Sequence, residues 1–191
     1  MKRIFLLITT VALLSLLSSA KSTRLQQTEK LDKIQQSLRD DVPRILCLDD
    51  RFATGGQPND AAFPKLAAFG YRVVLNLRTS SEGADLGRER EAVEKSGMRY
   101  VSIPVDSAAP KVEQVDEFLK IVKNTDNQPM FIHCGSGNRV GAFWTIYRAV
   151  EQGWPDDKAV SEATQIGLTS QLLKTFAHDY IASHQPKKKA G

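Results

Sequence analysis

The segment His133-Cys134-Gly135-Ser136-Gly137-Asn138-Arg139 places a nucleophile, two glycines and a guanidinium in one short stretch. It lies between an apolar run, Met130-Phe131-Ile132, and an apolar segment that begins at Val140. That placement predicts a loop joining the end of a strand to the start of a helix. Such a loop directs several backbone N–H groups at one point, and the helix dipole adds positive potential there. Gly135 and Gly137 let the backbone curl into a nest of amides that fits a tetrahedral oxyanion. Arg139 adds a planar fork for two of its oxygens. A cysteine at the base of such a nest is stabilised as a thiolate, and a thiolate beneath a cradled phosphate is placed for in-line attack. Cys134 is therefore the candidate nucleophile. Gly135, Ser136, Gly137, Asn138 and Arg139 form the candidate phosphate cradle. The positive charge comes from Arg139 and the amides, so neither a metal nor a cofactor is expected.

The elements that must position this loop alternate between strand and helix from Arg44 onward. Residues 45–48 read as a short strand. Asn59 or Asp60 can cap a helix over 61–69, closed by Gly70. Residues 71–77 have the apolar run of a buried strand. A helix over 88–96 ends at Gly97, and 100–105 is a strand whose Pro104 marks an end or an edge. Val112, Val115, Phe118, Leu119 and Val122 share one helix face. The strand at 130–132 follows, then helices over 140–151, 156–166 and 170–183. This order predicts an α/β fold with a mostly parallel central sheet flanked by helices. Leu31, Ile34 and Leu38 in the polar stretch 21–42 predict a short amphipathic helix, loosely packed or serving as a spacer.

With these elements in view, the chain resembles the cysteine-dependent protein tyrosine phosphatases. The resemblance is to their bacterial branch, which includes the β-lactamase-hydrolase-like phosphatases and is related to the dual-specificity phosphatases. It rests on Thr54-Gly55-Gly56-Gln57-Pro58, Val74-Leu75-Asn76-Leu77-Arg78, Ile103-Pro104-Val105-Asp106 and the loop from His133 to Gly141. It implies phosphate monoester hydrolysis through a phosphocysteine, with Cys134 as nucleophile and Asp106, before the nucleophile strand, as the acid for the leaving oxygen. His133 would orient the loop and help keep the thiolate. The sequence departs from the main superfamily in two ways. Four residues separate Cys134 from Arg139 where five are usual, and Val140 stands where a hydroxyl usually helps the thiolate depart. Slow phosphocysteine breakdown is the implied consequence. The loop also resembles the Cys-x-x-Gly-x-Arg pattern of rhodanese sulfurtransferases, in which Cys134 would carry a persulfide. No Asp-x-Arg followed by a Gly-His-Ile segment supports that alternative. A weakly active phosphate-binding module is a third reading.

Trp154-Pro155-Asp156 spells the acid-loop motif of receptor-type tyrosine phosphatases, but it follows the nucleophile. Asp156 reads instead as a cap or first-turn residue, with Trp154 as packing. His178 and His184 read as surface residues. Cys47 reads as a small buried strand residue, with a disulfide to Cys134 left open.

Lys2 and Arg3, the apolar run Ile4 to Leu17 and Ser18-Ser19-Ala20 have the layout of a secretory signal peptide. The run is short for a membrane span. The expected organisation is a signal peptide over 1–20, a polar helical segment over 21–42, a phosphatase-like domain over 43–185 and a basic tail over 186–191. The net charge of +4 becomes slightly acidic once Lys2, Arg3 and the Lys187–Lys189 run are set aside. The basicity therefore sits at the two ends, and no nucleic-acid partner is expected. The expected partner is a phosphorylated protein or small molecule. The mature chain is expected to be a periplasmic or secreted monomer, without stable membrane insertion. Two cysteines in 191 residues, with 41% hydrophobic content, exclude a disulfide miniprotein, a four-cysteine zinc site and a multi-span membrane protein.

Overall fold

Five short strands make one sheet in the order β1–β2–β5–β3–β4. They are β1 (Leu46–Cys47), β2 (Phe52–Gly55), β3 (Val73–Asn76), β4 (Arg99–Ser102) and β5 (Met130–His133). β1 is antiparallel at one edge, and the others are mutually parallel. The structure is a computed structural model that describes residues 21–184; the signal peptide expected over 1–20 and the tail expected over 186–191 lie outside the described residues.

Every residue of β2, β3 and β5 is buried, as required of strands covered on both faces. The two-residue period divides them between two cores. Phe52, Val73, Leu75, Met130 and Ile132 face the helices α4 (Val112–Lys123), α5 (Asn138–Ile146), α6 (Asp156–Ile166) and α7 (Gln171–His184). Ala53, Val74 and Phe131 face α1 (residues 21–38 as described), α2 (Ala62–Ala68) and α3 (Leu86–Lys95). The expected α/β architecture is thus present. Phe52–Gly55 was not expected as a strand. It is short, and pairing with both β1 and β5 holds it extended.

α1 is neither loosely packed nor a spacer. Ile34 and Leu38 are buried with Val42 in the second core. Gln35 Oε1 accepts the Cys47 N–H at 2.6 Å, so α1 also occupies a donor of the edge strand.

Sheet register explains why the sequence motifs belong together. Gly55 and Asn76 both stand opposite His133, and Asn76 stands opposite Ser102. Gly56-Gln57-Pro58, Leu77-Arg78, Ile103 to Asp106 and the Cys134 loop therefore all leave the sheet at the same carboxyl edge. That edge is where open parallel sheets bind ligands.

The same register removes the disulfide option. Cys47 pairs with Ala53, Ala53 pairs with Phe131, and Cys134 lies three residues beyond Phe131. Two strand spacings and three residue rises separate the cysteines by roughly 14 Å, about twice what a disulfide spans. They also belong to opposite cores. Burial pushes the Cys47 thiol up to about 11, partly offset by the Tyr71 hydroxyl 4.0 Å away.

Candidate active site

The loop between β5 and α5 is supported from behind. Gly137 has φ +89°, and a Cβ there would stand 2.2 Å from the Ile166 carbonyl oxygen. One turn on, a Cβ at Gly141 would meet Leu168 Cβ at 2.8 Å and the Ala163 carbonyl oxygen at 2.9 Å. The two glycines let the end of α6 press against the loop and the first turn of α5. Asn138 completes the joint, its Oδ1 accepting the N–H groups of Thr169 and Ser170, each at 2.8 Å. The Asn138 side chain thus ties the segment that leads into α7 to the loop. Cys134 is 1% exposed, and its Sγ accepts the Gly137 N–H at 3.2 Å. Four intervening residues are therefore enough to turn a backbone amide onto the sulfur.

Arg139 is buried and held on two sides. Nη1 donates to Glu82 Oε1 at 2.5 Å and to the Val105 carbonyl at 2.8 Å, while Nη2 donates to Glu82 Oε2 at 2.7 Å. A guanidinium has five N–H groups. These contacts use both on Nη1 and one on Nη2. The Nε–H and the second Nη2 proton remain, and they share one edge of the plane. A Cβ added to Gly135 would lie 3.6 Å from Nη2, which sets the guanidinium beside the amide nest. Glu82 therefore leaves Arg139 a two-pronged edge for an oxyanion. Burial works against the charge of Arg139; Glu82 and the adjacent Cys134 more than offset it, and its pKa is raised.

Glu82 accepts more than Arg139. The Thr79 N–H reaches its Oε1 at 2.8 Å, and Arg78 Nε reaches its Oε2 at 3.2 Å. The Arg139 hydrogen bond is the main force holding the Glu82 carboxyl at about 2; burial opposes this, and Thr79 assists.

Behind the loop lies a second buried carboxylate, Glu89 on α3. Its Oε1 accepts Asn76 Nδ2 at 2.6 Å and the Tyr100 hydroxyl at 2.9 Å, and Gln57 Nε2 donates to its Oε2. His133 shares the strand face of Phe131 and stacks on that ring, with centroids 5.6 Å apart. It points to the face opposite Cys134, and its Nε2 lies 3.3 Å from Glu89 Oε1. Burial alone would raise the Glu89 pKa, but His133, Gln57 and Tyr100 more than offset it and the net shift is downward.

An acid-stability signature follows from Glu82. Unfolded glutamate titrates near 4.5 and Glu82 in the fold at about 2. A depressed folded pKa gives stability that is fully present above the unfolded value and is lost as pH falls through the folded one. Urea unfolding should therefore show wild type more stable than Glu82→Gln by a constant margin from neutrality to about pH 4.5, shrinking towards pH 2. A margin that stays constant into acid would show that the carboxylate charge plays no part.

Asp106 lies at the rim. It follows Val105, whose carbonyl is bound to Arg139, so its backbone is anchored to the cradle. Its exposed side chain accepts the Ala108 N–H at 2.9 Å. Gln114 Nε2 holds the Pro104 carbonyl at 2.6 Å, fixing the other end of this connection. Trp154-Pro155-Asp156 is elsewhere. Trp154 lies against Arg148 and Lys158, at 4.2 Å and 3.6 Å, and Asp156 opens α6. The far end of that helix touches Gly137, which puts Asp156 about 15 Å from the loop. Sequence reasoning missed Glu82 and Glu89. Thr79 and Glu82 do have capping-box spacing, which the structure uses.

Among the described residues, no cluster of three or more His, Cys, Asp or Glu side chains could hold a metal ion. Among them too, no helix is long and apolar enough to cross a membrane.

A family model described as "DSP-PTPase phosphatase fused to NAD+ Kinase" matches residues 25–179. A β-lactamase hydrolase-like protein of Xylella fastidiosa is 28% identical over 113 residues, 56% of this chain and 26% of that protein. The chain thus spans about a quarter of the length of such relatives. The dual-specificity protein phosphatase TpbA of Pseudomonas aeruginosa is 25% identical over 126 residues, 65% of this chain and 55% of TpbA. A TpbA crystal structure superposes with a TM-score of 0.60, covering 75% of this chain and 86% of that one, and a cysteine-to-serine variant of TpbA is also known in complex with phosphotyrosine. A DUF442 phosphatase candidate from Shewanella putrefaciens superposes with a TM-score of 0.67 at 25% identity, covering 78% of this chain and 97% of that one. The family model extends over most of the chain and over all the strands that carry the loop, so this chain belongs to the DSP-PTPase phosphatase family.

Proposed function

We propose that the protein hydrolyses phosphate monoesters through a phosphocysteine, as tyrosine and dual-specificity phosphatases do. The observation that carries this reading is the Nε/Nη2 edge of Arg139, which Glu82 and Val105 leave to a buried Cys134 whose sulfur already accepts a loop amide. The amides of residues 135–139 and Arg139 bind the phosphoryl oxygens. The Cys134 thiolate forms a bond to phosphorus as the ester oxygen leaves, and Asp106 gives that oxygen its proton. Water then attacks phosphorus and gives a proton to the Asp106 carboxylate, the P–S bond breaks, and phosphate is released as the thiolate and the acid are restored. His133, braced on Glu89, supports the loop from the opposite strand face. The substrate class is a phosphorylated protein or small molecule. The leader-like sequence over 1–20 supports a periplasmic or secreted location.

Val140 favours a second reading. It is fully buried and offers no hydroxyl to the departing thiolate, which suits a phosphate-binding module with slow turnover. The deciding experiment incubates reduced protein with an aryl phosphate, with and without vanadate. In parallel, thiosulfate and cyanide are supplied and thiocyanate is measured. Vanadate-sensitive phosphate release with little thiocyanate is expected. Thiocyanate formation that depends on Cys134, without phosphate release, would assign the loop to sulfur transfer. Phosphate binding without either product would favour the binding module.

A further inference from the structure

The phosphate cradle has two walls from different elements. The amide wall is the loop after β5. The guanidinium wall is Arg139 as oriented by Glu82, which lies in the turn after β3. Gln57, on the turn after β2, is bonded towards both. Its backbone N–H donates to the Gly135 carbonyl at 3.2 Å. Its side-chain Oε1 accepts Arg78 Nη1 at 2.7 Å. Arg78 in turn donates from Nε to Glu82 Oε2 at 3.2 Å and from Nη2 to the Glu82 carbonyl at 3.0 Å.

Chemistry fixes the orientation of the Gln57 amide. A carboxylate accepts and cannot donate, so the nitrogen must face Glu89, and the oxygen must then face the Arg78 cation. Glu89 is itself immobilised by Asn76 and Tyr100. A continuous set of charged hydrogen bonds thus runs from Glu89 through Gln57, Arg78 and Glu82 to Arg139.

We propose that Gln57 and Arg78 are positioning residues for phosphate capture, holding the Arg139 edge in register with the amide nest without touching the phosphate. This rests on the cradle binding phosphate as proposed above. A purely structural role would lower stability and leave phosphate affinity alone, so the readout must be binding.

The test measures inorganic phosphate binding to the full chain by calorimetry, beside thermal unfolding. Gln57→Met is near-isosteric, keeps the backbone N–H to Gly135 and removes the side-chain link. Arg78→Lys keeps the charge but cannot make the three bonds, and it leaves Gln57 on Glu89. Each should weaken phosphate binding about tenfold, the scale of one charged hydrogen bond. Because Gln57 acts through Glu82, the Gln57→Met, Glu82→Gln double variant should bind within about twofold of Glu82→Gln alone. Should Gln57→Met fail to fold, Arg78→Lys and its double variant with Glu82→Gln carry the same comparison. Unchanged phosphate affinity in folded single variants, or additive losses in the double variant, would overturn the proposal. A wild-type chain that binds no phosphate would instead overturn the reading of the cradle and this inference with it.

Discussion

Cys134→Ser is expected to abolish phosphate release from aryl phosphates while leaving inorganic phosphate binding within a few-fold of wild type. The loss should be on the order of 10⁴-fold or more, as when other enzymic nucleophiles are removed. Serine keeps the loop geometry, because Oγ can accept the Gly137 N–H that Sγ accepts now. What it lacks is the sulfur nucleophile. Arg139→Lys should behave differently and damage both properties. An ammonium on a flexible stem cannot present the paired Nε/Nη2 edge, nor satisfy Glu82 and Val105 together. Turnover should fall about 10²- to 10³-fold, the cost of one preorganised oxyanion donor, and phosphate binding should weaken with it. Glu82 would also lose the partner that holds its carboxyl low, so Arg139→Lys should lower the unfolding temperature more than Cys134→Ser. Turnover that survives in Cys134→Ser would remove the phosphocysteine route. Phosphate affinity that survives in Arg139→Lys would place the anion elsewhere.

What could be read from the chain, and what could not, follows from the range of each interaction. The Cys134 to Arg139 loop is local: its nucleophile, glycines and guanidinium are consecutive, so spacing alone implies a cradle. α3, α4 and α6 were legible for the same reason, since caps, glycine stops and apolar faces repeat within a few residues. Glu82 and Glu89 were not legible. Their defining partners, Arg139 at the start of α5 and His133 on β5, lie more than 40 residues on. Apart from the capping-box spacing of Thr79 and Glu82, nothing near 82 or 89 in sequence distinguishes them from solvated helix-face glutamates. The Gly-Gln-Pro and Asn-Leu-Arg segments had only resemblance to recommend them. Sheet register supplies the physical reason, because Gly55, Asn76 and His133 end their strands in one row and the residues that follow must meet. β2 escaped notice because Phe52–Gly55 carries no pattern beyond two apolar positions; its extended form is imposed by neighbours on both sides. The Cys47 question turned on strand order, which a single sequence does not contain.

Asp106→Asn is expected to slow poor leaving groups far more than good ones. An alkoxide or the phenolate of tyrosine needs a proton as the P–O bond breaks, and a positioned acid contributes about 10²- to 10⁴-fold. A nitrophenolate leaves without that help, so its hydrolysis should change several-fold at most. The geometry admits Asp106 to this role through its neighbour. Val105 is fixed to Arg139 through its carbonyl, so the Asp106 backbone is anchored to the same guanidinium that is proposed to hold the phosphate. The Asp106 carboxylate now accepts the Ala108 N–H. Acting on a leaving group requires it to exchange that local bond for the ester oxygen, a side-chain rotation that leaves the Val105 anchor in place. Asparagine can keep the Ala108 contact through its carbonyl oxygen, so the variant removes the acidic proton with little disturbance to the turn. Asp156→Asn is the control. Its carboxylate opens α6 about 15 Å from the loop, so it should affect both kinds of ester equally and slightly. Equal losses on good and poor leaving groups in Asp106→Asn would reduce Asp106 to a turn residue. A selective loss in Asp156→Asn would transfer the acid to the Trp154-Pro155-Asp156 segment and require α6 to approach the cradle during turnover.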